Sequence, residues 1–441
     1  MENYNKSFRT IEELYELYKQ YPNISTDSRK IEKGDIFFAL RGENFDGNKF
    51  AIKALEQGAS LVVLDSEQIY LETTNTNYQE RMFLCQDSLE TLQQLAAYHR
   101  DRLTTTIIGI SGTNGKTTTK ELIHAVLSSK FTTQATVGNL NNHIGVPLTL
   151  LSIKPQTQIA IVEMGANHVG EIAFLCTIAK PDMGILTNVG TAHIEGFKTR
   201  ENIIKTKRAL FESVKSNNKP NAHLFVNNDD EALCDENFSK KTTYSLLDSA
   251  NYNAVSDSSN AVSTIHIEGL TIQSQLIGKY NAYNMLAAYT IGRHFGIDKH
   301  DIKHSIEQYK PSNQRSQIVK TARNTLILDC YNANPSSCKA AIESLACMQA
   351  ERKMIFMGAM RELGDCTEEE HRNCLELMKS KDFERIILVG EEYKEMTKDE
   401  IMWFENSSQM REYLKEEQIS GGTILIKGSR TTKMEILEDV L

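Results

Sequence analysis

The chain lacks several features that would place it elsewhere. None of its eight cysteines (Cys85, Cys176, Cys234, Cys330, Cys338, Cys347, Cys366 and Cys374) sits in a CxxC pair. That spacing argues against a zinc site and fits free thiols in a reducing cytoplasm, the expected location. No apolar run approaches the length needed to cross a membrane, so no stable membrane insertion is expected. The opening MENYNKSFRT has no apolar core and does not read as a signal peptide. No long Lys/Arg block occurs and the net charge is −9, which argues against a nucleic-acid partner. A negative total does not forbid an anionic ligand, because local groups decide that.

What is present is a soluble globular composition, 40% hydrophobic and 24% charged over 441 residues. That length exceeds one ordinary core, so two or three domains are expected. The most informative stretch is TTTIIGISGTNGKTTTK, residues 104–120. Thr104 to Ile110 is a β-branched run that reads as a buried parallel strand. Gly112, Thr113, Asn114, Gly115, Lys116, Thr117 and Thr118 follow, and Leu122, Ile123, Val126 and Leu127 then fall at helical spacing. Strand, glycine turn and helix in that order make a phosphate cradle. The glycines let backbone N–H groups close on the anion, and the helix N-terminus and Lys116 add positive charge. Thr117 offers a hydroxyl to Mg²⁺. The usual pattern has a glycine five residues before Gly115; Ile110 stands there, so the loop is a variant.

Three further blocks surround it. Residues 1–102 hold short apolar strands at Ile36–Leu40 and Leu61–Leu64 and read as a small α/β domain. Ser28, Arg29 and Arg41 there are either phosphate-holding groups or solvated loop residues. Residues 103–308 alternate strands and helices, which signals a doubly wound parallel sheet. Strands at 158–162, 183–187 and 224–226 end in EMGAN, NVGTAHIEG and NNDD. Ligands in such sheets sit at strand carboxyl ends, so Glu163 and His193 are expected to converge near the loop as Mg²⁺ ligands. Residues 309–441 begin at a linker, Pro311-Ser312-Asn313-Gln314. Four more strands, near 326–329, 355–358, 386–390 and 424–429, form a second, smaller doubly wound domain. Arg315, Asp329, Lys427 and Arg430 are its candidate ligand groups.

Lys207 is an anomaly. In ENIIKTKRALFESV, Ile203, Ile204, Leu210, Phe211 and Val214 form one stripe at about 100° per residue, with Lys207 in its middle and Lys205 opposite. A lysine on a buried face either snorkels to the rim or loses its proton. A neutral amine can react with CO₂ to give a carbamate, an anion able to bind a second Mg²⁺. Asn139, Asn141, Asn142 and His143 form a polar turn able to bind substrate amides or merely to turn the chain. Asn281 and Asn284 stand at a helix start, where they either cap the helix or touch a base.

Together, GTNGKTTTK, GNLNNHIGVPLTLL, EMGAN, NVGTAHIEGF, DCYNANPSS, MRELG and KGSR resemble the Mur ligase family, most closely its MurF branch. The resemblance spans nearly the whole chain, including DSRKIEKGDIFFALRGENFDG. It implies three domains: an N-terminal domain for the UDP end, a central P-loop ATPase domain and a Rossmann-like C-terminal domain that binds D-alanyl-D-alanine and closes on ATP. It implies ATP and Mg²⁺, with UDP-N-acetylmuramoyl-tripeptide and D-alanyl-D-alanine as partners, in a monomer. By motif, Lys116 and Thr117 serve phosphates; Glu163 and His193 bind Mg²⁺; Lys207 is the carbamylated lysine. Asn281, Arg315 and Asp329 match nucleotide-contacting positions; Asn139, Asn142, Asn332 and Asn334 match substrate-side positions. Tyr280 and Asn48 stand where many relatives have histidine, and Arg208-Ala209 replace a common Gly-Glu pair. Two rival readings are a ligase for a single amino acid and a nucleotide switch without amide product.

Overall fold

The computed structural model describes residues 9–74, 76–190, 194–217, 219–234, 238–257, 262–311, 314–397 and 401–441. The chain is mixed α/β in three domains, each built on its own mainly parallel sheet. In the first, short parallel strands stand in the order Ile24–Ser25, Ile36–Phe38, Leu61–Leu64, Met82–Leu84. Helices cover both faces, so the strands read as unbroken apolar runs. Phe37, Val62 and Leu64 pack with Ala54 and Leu55 of the helix Ala51–Gln57. Ile36, Phe38 and Val63 face Leu14 and Leu92, on the helices Ile11–Gln20 and Ser88–Arg100.

The central sheet runs Thr133–Ala135, Ile159–Glu163, Thr106–Ser111, Met183–Leu186, His223–Asn227, Lys241–Ser245, Tyr252–Asn253, all parallel. From Thr106–Ser111 the chain goes to one edge, returns to pair on that side, then crosses to Met183–Leu186 on the other. That reversal opens a crevice at the carboxyl end of Thr106–Ser111, where doubly wound sheets bind ligands. Register puts Glu163 beside Ile110 and Leu186 beside Ser111, so the loops after all three strands emerge together.

Ile108 and Ile110 pack on Leu122, Ile123 and Val126 of the helix Lys116–Ser128 and on Met285 and Leu286 of Asn281–His294. The opposite face carries Gly109. A Cβ there would lie 2.8 Å from Leu210, so the helix Arg200–Ser216 lies directly on the strand. Lys207, one turn before Leu210, is thereby carried toward the glycine loop.

The last sheet runs Gln317–Lys320, Thr325–Asp329, Thr423–Lys427, Lys353–Gly358, Arg385–Val389, Met402–Phe404. It holds six strands among the described residues, not the four expected. The additions are edge strands: Gln317–Lys320 pairs antiparallel with Thr325–Asp329, and Met402–Phe404 has only three residues. A three-stranded antiparallel sheet, Val255–Asp257, Val262–Ile267 and Leu270–Ile277, was also not anticipated. Its signal was legible: apolar and polar residues alternate on both sides of Glu268-Gly269. Those two residues have φ of +48° and +78°, the positive pair a tight hairpin favours.

The domains are joined unequally. One apolar core runs unbroken from Leu14, Phe38 and Leu92 into Ile107, Val162 and Leu210 of the central domain. Polar contacts lock the same junction. Buried Arg100 donates to the carbonyls of Ala179 (2.9 Å), Thr105 (3.3 Å) and Lys180 (3.1 Å) and to Asp182 Oδ2 (2.7 Å). Asp182 also accepts from Ile107 N and Lys219 Nζ, both at 2.7 Å. The last domain's two apolar cores, by contrast, take in only Ile277 from outside it. Removing one partner of a buried ion pair costs about 3–5 kcal/mol. Asp182→Ala is therefore expected to lower the unfolding free energy by about that much in urea titrations. A loss under about 1 kcal/mol, the scale of an exposed pair, would show that the junction is not held this way.

Candidate active site

The glycine loop joins Thr106–Ser111 to Lys116–Ser128 as anticipated. Gly112 and Gly115 have φ of +139° and +78°. Their Cβ atoms would lie 2.0 Å from Thr187 Oγ1 and 2.7 Å from Asn284 Oδ1. Conformation and space both require glycine there. Lys116 Nζ folds back to the carbonyls of Gly112 and Thr113, each at 2.9 Å. Its tip opens on the cleft, yet its setting is deep. Burial lowers its pKa to about 8; Glu163 opposes that shift and Arg315 reinforces it.

Below the loop, Glu163 is 1% exposed. Its Oε1 accepts from Thr117 Oγ1 (3.2 Å) and Asn141 Nδ2 (2.8 Å), while Oε2 has no hydrogen-bond partner. The nearest cation to Oε2 is Lys120 Nζ at 3.9 Å. A buried carboxylate oxygen without a donor is costly unless a cation completes it. A hard-oxygen pair, the Thr117 hydroxyl and Glu163, fits Mg²⁺. His193, the third expected ligand, lies outside the described residues. Among those residues no group of three His, Cys, Asp or Glu side chains is placed to hold a metal unaided.

Lys207 lies in the stripe as anticipated, 2% exposed, while Lys205 is exposed. Its Nζ is 5.6 Å from the Phe197 ring centroid. Burial, then repulsion from Lys116, lowers its pKa to about 7, with Glu171 opposing. Near neutral pH much of it is therefore the free amine that a carbamate needs.

The C-terminal domain forms the other wall. Asp329 and Lys427 are register partners on adjacent strands, and Lys427 Nζ meets Asp329 Oδ2 at 2.6 Å. Burial alone would lower the Lys427 pKa, but the Asp329 carboxylate overrides it and raises the value. Asp329 Oδ1 also accepts from Ser316 N at 3.3 Å, and Ser316 Oγ meets the Tyr280 hydroxyl at 2.5 Å. Arg315 stacks 3.7 Å from the Tyr331 ring centroid, and its buried Nε has no partner. Gln314 and Ser316, on either side, have φ of +55° and +52°. The helix Pro335–Cys347 points its N-terminus at the loop. Asn114 Nδ2 donates to Ser336 Oγ and Asn114 Oδ1 accepts from Asn334 Nδ2, both at 2.8 Å. Two helix N-termini thus face one cleft of about 910 Å³.

Residues 20–100, 110–292 and 314–430 match, in turn, the Mur ligase family catalytic domain, the Mur ligase middle domain and the Mur ligase glutamate ligase domain. A UDP-N-acetylmuramoyl-tripeptide–D-alanyl-D-alanine ligase of Bacillus subtilis (strain 168) is 33% identical over 459 residues, covering 98% of each chain. The chain belongs to the Mur ligase family. The ligase of the same name from Escherichia coli (strain K12) is 31% identical, covering 93% of this chain and 92% of that one. A crystal structure of MurF from Acinetobacter baumannii superposes with a TM-score of 0.83 at 27% identity, covering 98% of both chains. MurF ligase from Thermotoga maritima in complex with ADP gives 0.81 at 27% identity, covering 96% of this chain and 97% of that one.

The Mur ligase cleft gathers most of the expected residues: Gly115, Lys116, Thr117, Glu163, Arg315 and Asp329 all line it. Several are engaged differently from expectation. Asn281 is buried, donating to Ile277 O and accepting from Asn284, so its amide supports the loop from below. Asn142 Oδ1 accepts from Gly145 N, capping the helix Gly145–Leu151. Asn334 caps Pro335–Cys347 while touching Asn114. Asn139 and Asn332 keep exposed positions on the cleft. Asn141, expected only as a turn or amide-binding residue, is the one that orients Glu163; no spacing rule marks it. Ser28, Arg29 and Arg41 do not line this cleft. Ser28 is buried, Arg29 pairs with Asp27 and Arg41 with Asp65, both within the first domain.

A lysine whose folded pKa is depressed penalises folding most at low pH. The penalty holds below about pH 7 and fades as pH rises to the unfolded value of 10.5. Lys207→Met is therefore expected to raise Tm most below pH 7, with the gain shrinking toward pH 10. A pH-independent difference would mean the ammonium is solvated.

Proposed function

We propose that this chain joins D-alanyl-D-alanine to UDP-N-acetylmuramoyl-tripeptide with ATP, as the relatives' names describe for those proteins. The observation that carries the reading is the cleft itself. A glycine loop with Lys116 faces the N-terminal end of a C-terminal-domain helix across one space. A carboxylate is a poor acyl donor. Transfer of the γ-phosphoryl of ATP to the terminal carboxylate of the tripeptide makes an acyl phosphate and ADP. The dipeptide amine then forms the amide bond, and phosphate leaves with the C–O electron pair.

In this scheme the loop N–H groups and Lys116 neutralise phosphate charge during transfer. Thr117, Glu163 and His193 would hold one Mg²⁺ and Lys207, as carbamate, a second; the ions would supply further charge neutralisation at the phosphates. Asn141 orients Glu163. Arg315, stacked on Tyr331 with a free buried N–H, takes nucleotide phosphate, while Asn281 and Asn284 shape the loop. Asn139 and Asn332 meet the peptide. Residues 1–102, with Ser28, Arg29 and Arg41, take the UDP end, away from the chemistry; 103–308 take ATP; 309–441 take the dipeptide. The C-terminal helix closes over the loop and excludes water from the acyl phosphate.

Mass spectrometry of a reaction containing UDP-linked tripeptide, ATP, Mg²⁺ and D-alanyl-D-alanine is expected to show the pentapeptide, one ADP per amide formed. Hydrolysis or nucleotide exchange without amide would overturn the reading in favour of a nucleotide switch. Lys207→Ala is expected to lose at least about 100-fold in kcat and to recover part of it with short carboxylic acids. Full turnover by that variant would exclude the carbamate.

A further inference from the structure

The helix Lys116–Ser128 carries a second lysine one turn beyond the loop lysine, and the phosphoryl transfer gives it no part. Lys120 is fully buried and is not among the residues that line the cleft. An ammonium in such a place is costly unless it is paired and hydrogen-bonded. Lys120 Nζ donates to Thr136 O at 2.5 Å and meets Glu121 Oε1 at 2.9 Å. Its next neighbour of opposite charge is Glu163 Oε2, 3.9 Å away. Lysine and carboxylate share one support. Thr136, 1% exposed, follows the edge strand Thr133–Ala135. Its carbonyl takes the Lys120 ammonium, and its hydroxyl accepts from Glu163 N at 2.9 Å. The separation of the two charges is therefore set by backbone.

The two oxygens of Glu163 are treated differently. Thr117 and Asn141 occupy Oε1, whereas Oε2 has the charge of Lys120 nearby and no hydrogen bond. A separation of 3.9 Å is close enough for Coulombic compensation and too long for a hydrogen bond. That oxygen is thus compensated yet open. The same ammonium repels any other cation that approaches it, and Lys116, which also interacts with Glu163, adds to the repulsion. Phosphates bound in the loop would reverse the balance, because they bring negative charge to the cleft side of the carboxylate.

We propose that Lys120 is the resident counter-cation of Glu163 and bars a divalent ion from that carboxylate until nucleotide phosphates arrive with one. It is a positioning residue that acts through Glu163 and touches no reactant. The inference rests on the metal reading of the ligase site and adds the order in which the ion is admitted.

Mn²⁺, standing in for Mg²⁺, tests it through the water-proton relaxation enhancement of protein-bound ion, which needs no turnover. Wild-type protein is expected to bind Mn²⁺ at least about tenfold more tightly with a non-hydrolysable ATP analogue than alone. In Lys120→Met the affinity for Mn²⁺ alone rises at least about tenfold, and the analogue adds less. A merely structural role would give the opposite sign, because a disturbed carboxylate binds metal less well. Lys120→Gln, neutral but still able to donate to Thr136 O, shows the same gain, which separates lost charge from a lost hydrogen bond. Where either variant is poorly stable, Mn²⁺ alone raises its Tm more than that of wild type. Combining Lys120→Gln with Glu163→Gln abolishes the gain. Affinity for Mn²⁺ alone at or below wild type in Lys120→Gln overturns the proposal, and so does a gain that survives Glu163→Gln. If wild-type protein with the analogue binds Mn²⁺ no better than Glu163→Gln does, the metal reading itself fails.

Discussion

The structure depends on an excess of positive potential at the carboxyl edge of the central sheet. Burial lowers the pKa of both Lys116 and Lys207; repulsion from Lys116 lowers that of Lys207 further, and repulsion from Arg315 that of Lys116. Two helix N-termini face the same space, each adding roughly half a positive charge. Such a concentration is unfavourable in isolation and becomes favourable when polyanion arrives. Binding energy for phosphate is thus preorganised, and buried Glu163 is the counter-group that opposes the depression of the Lys116 pKa.

Much of this was legible in the chain. Glycine spacing announced the loop, because only glycine tolerates the conformations and contacts at Gly112 and Gly115. Periodicity announced Lys207, because one lysine in an apolar stripe has few ways to be stable. Strand ends announced Glu163. The illegible part concerns side chains that serve two masters. Asn334 is a helix cap by local rule and a domain contact by tertiary accident of folding; Asn142 and Asn281, open in the chain between ligand and backbone roles, hold backbone while lining the cleft. Asn141 matters only through a carboxylate 22 residues away. Edge strands escaped notice because Gln317–Lys320 and Met402–Phe404 are short and half exposed, so neither carries a strong apolar run.

The two domain junctions differ in kind. Between the first two domains, continuous apolar packing and the Arg100–Asp182–Lys219 network fix orientation. Between the last two, Asn114 meets Asn334 and Ser336 and the Tyr280 hydroxyl meets Ser316 Oγ, while only Ile277 of the central domain enters the last domain's apolar cores among the described residues. Hydrogen bonds of this type exchange with water at little net loss, about 1 kcal/mol each. The first junction is therefore fixed by packing and the second is the more readily separable.

The backbone on either side of Arg315 adds a mechanical consequence. Gln314 and Ser316 both occupy left-handed conformations without being glycine, at about 1–2 kcal/mol each. A rotation of the last domain that let either relax would return that energy. Backbone strain and the orientation of the last domain are therefore coupled at this connection.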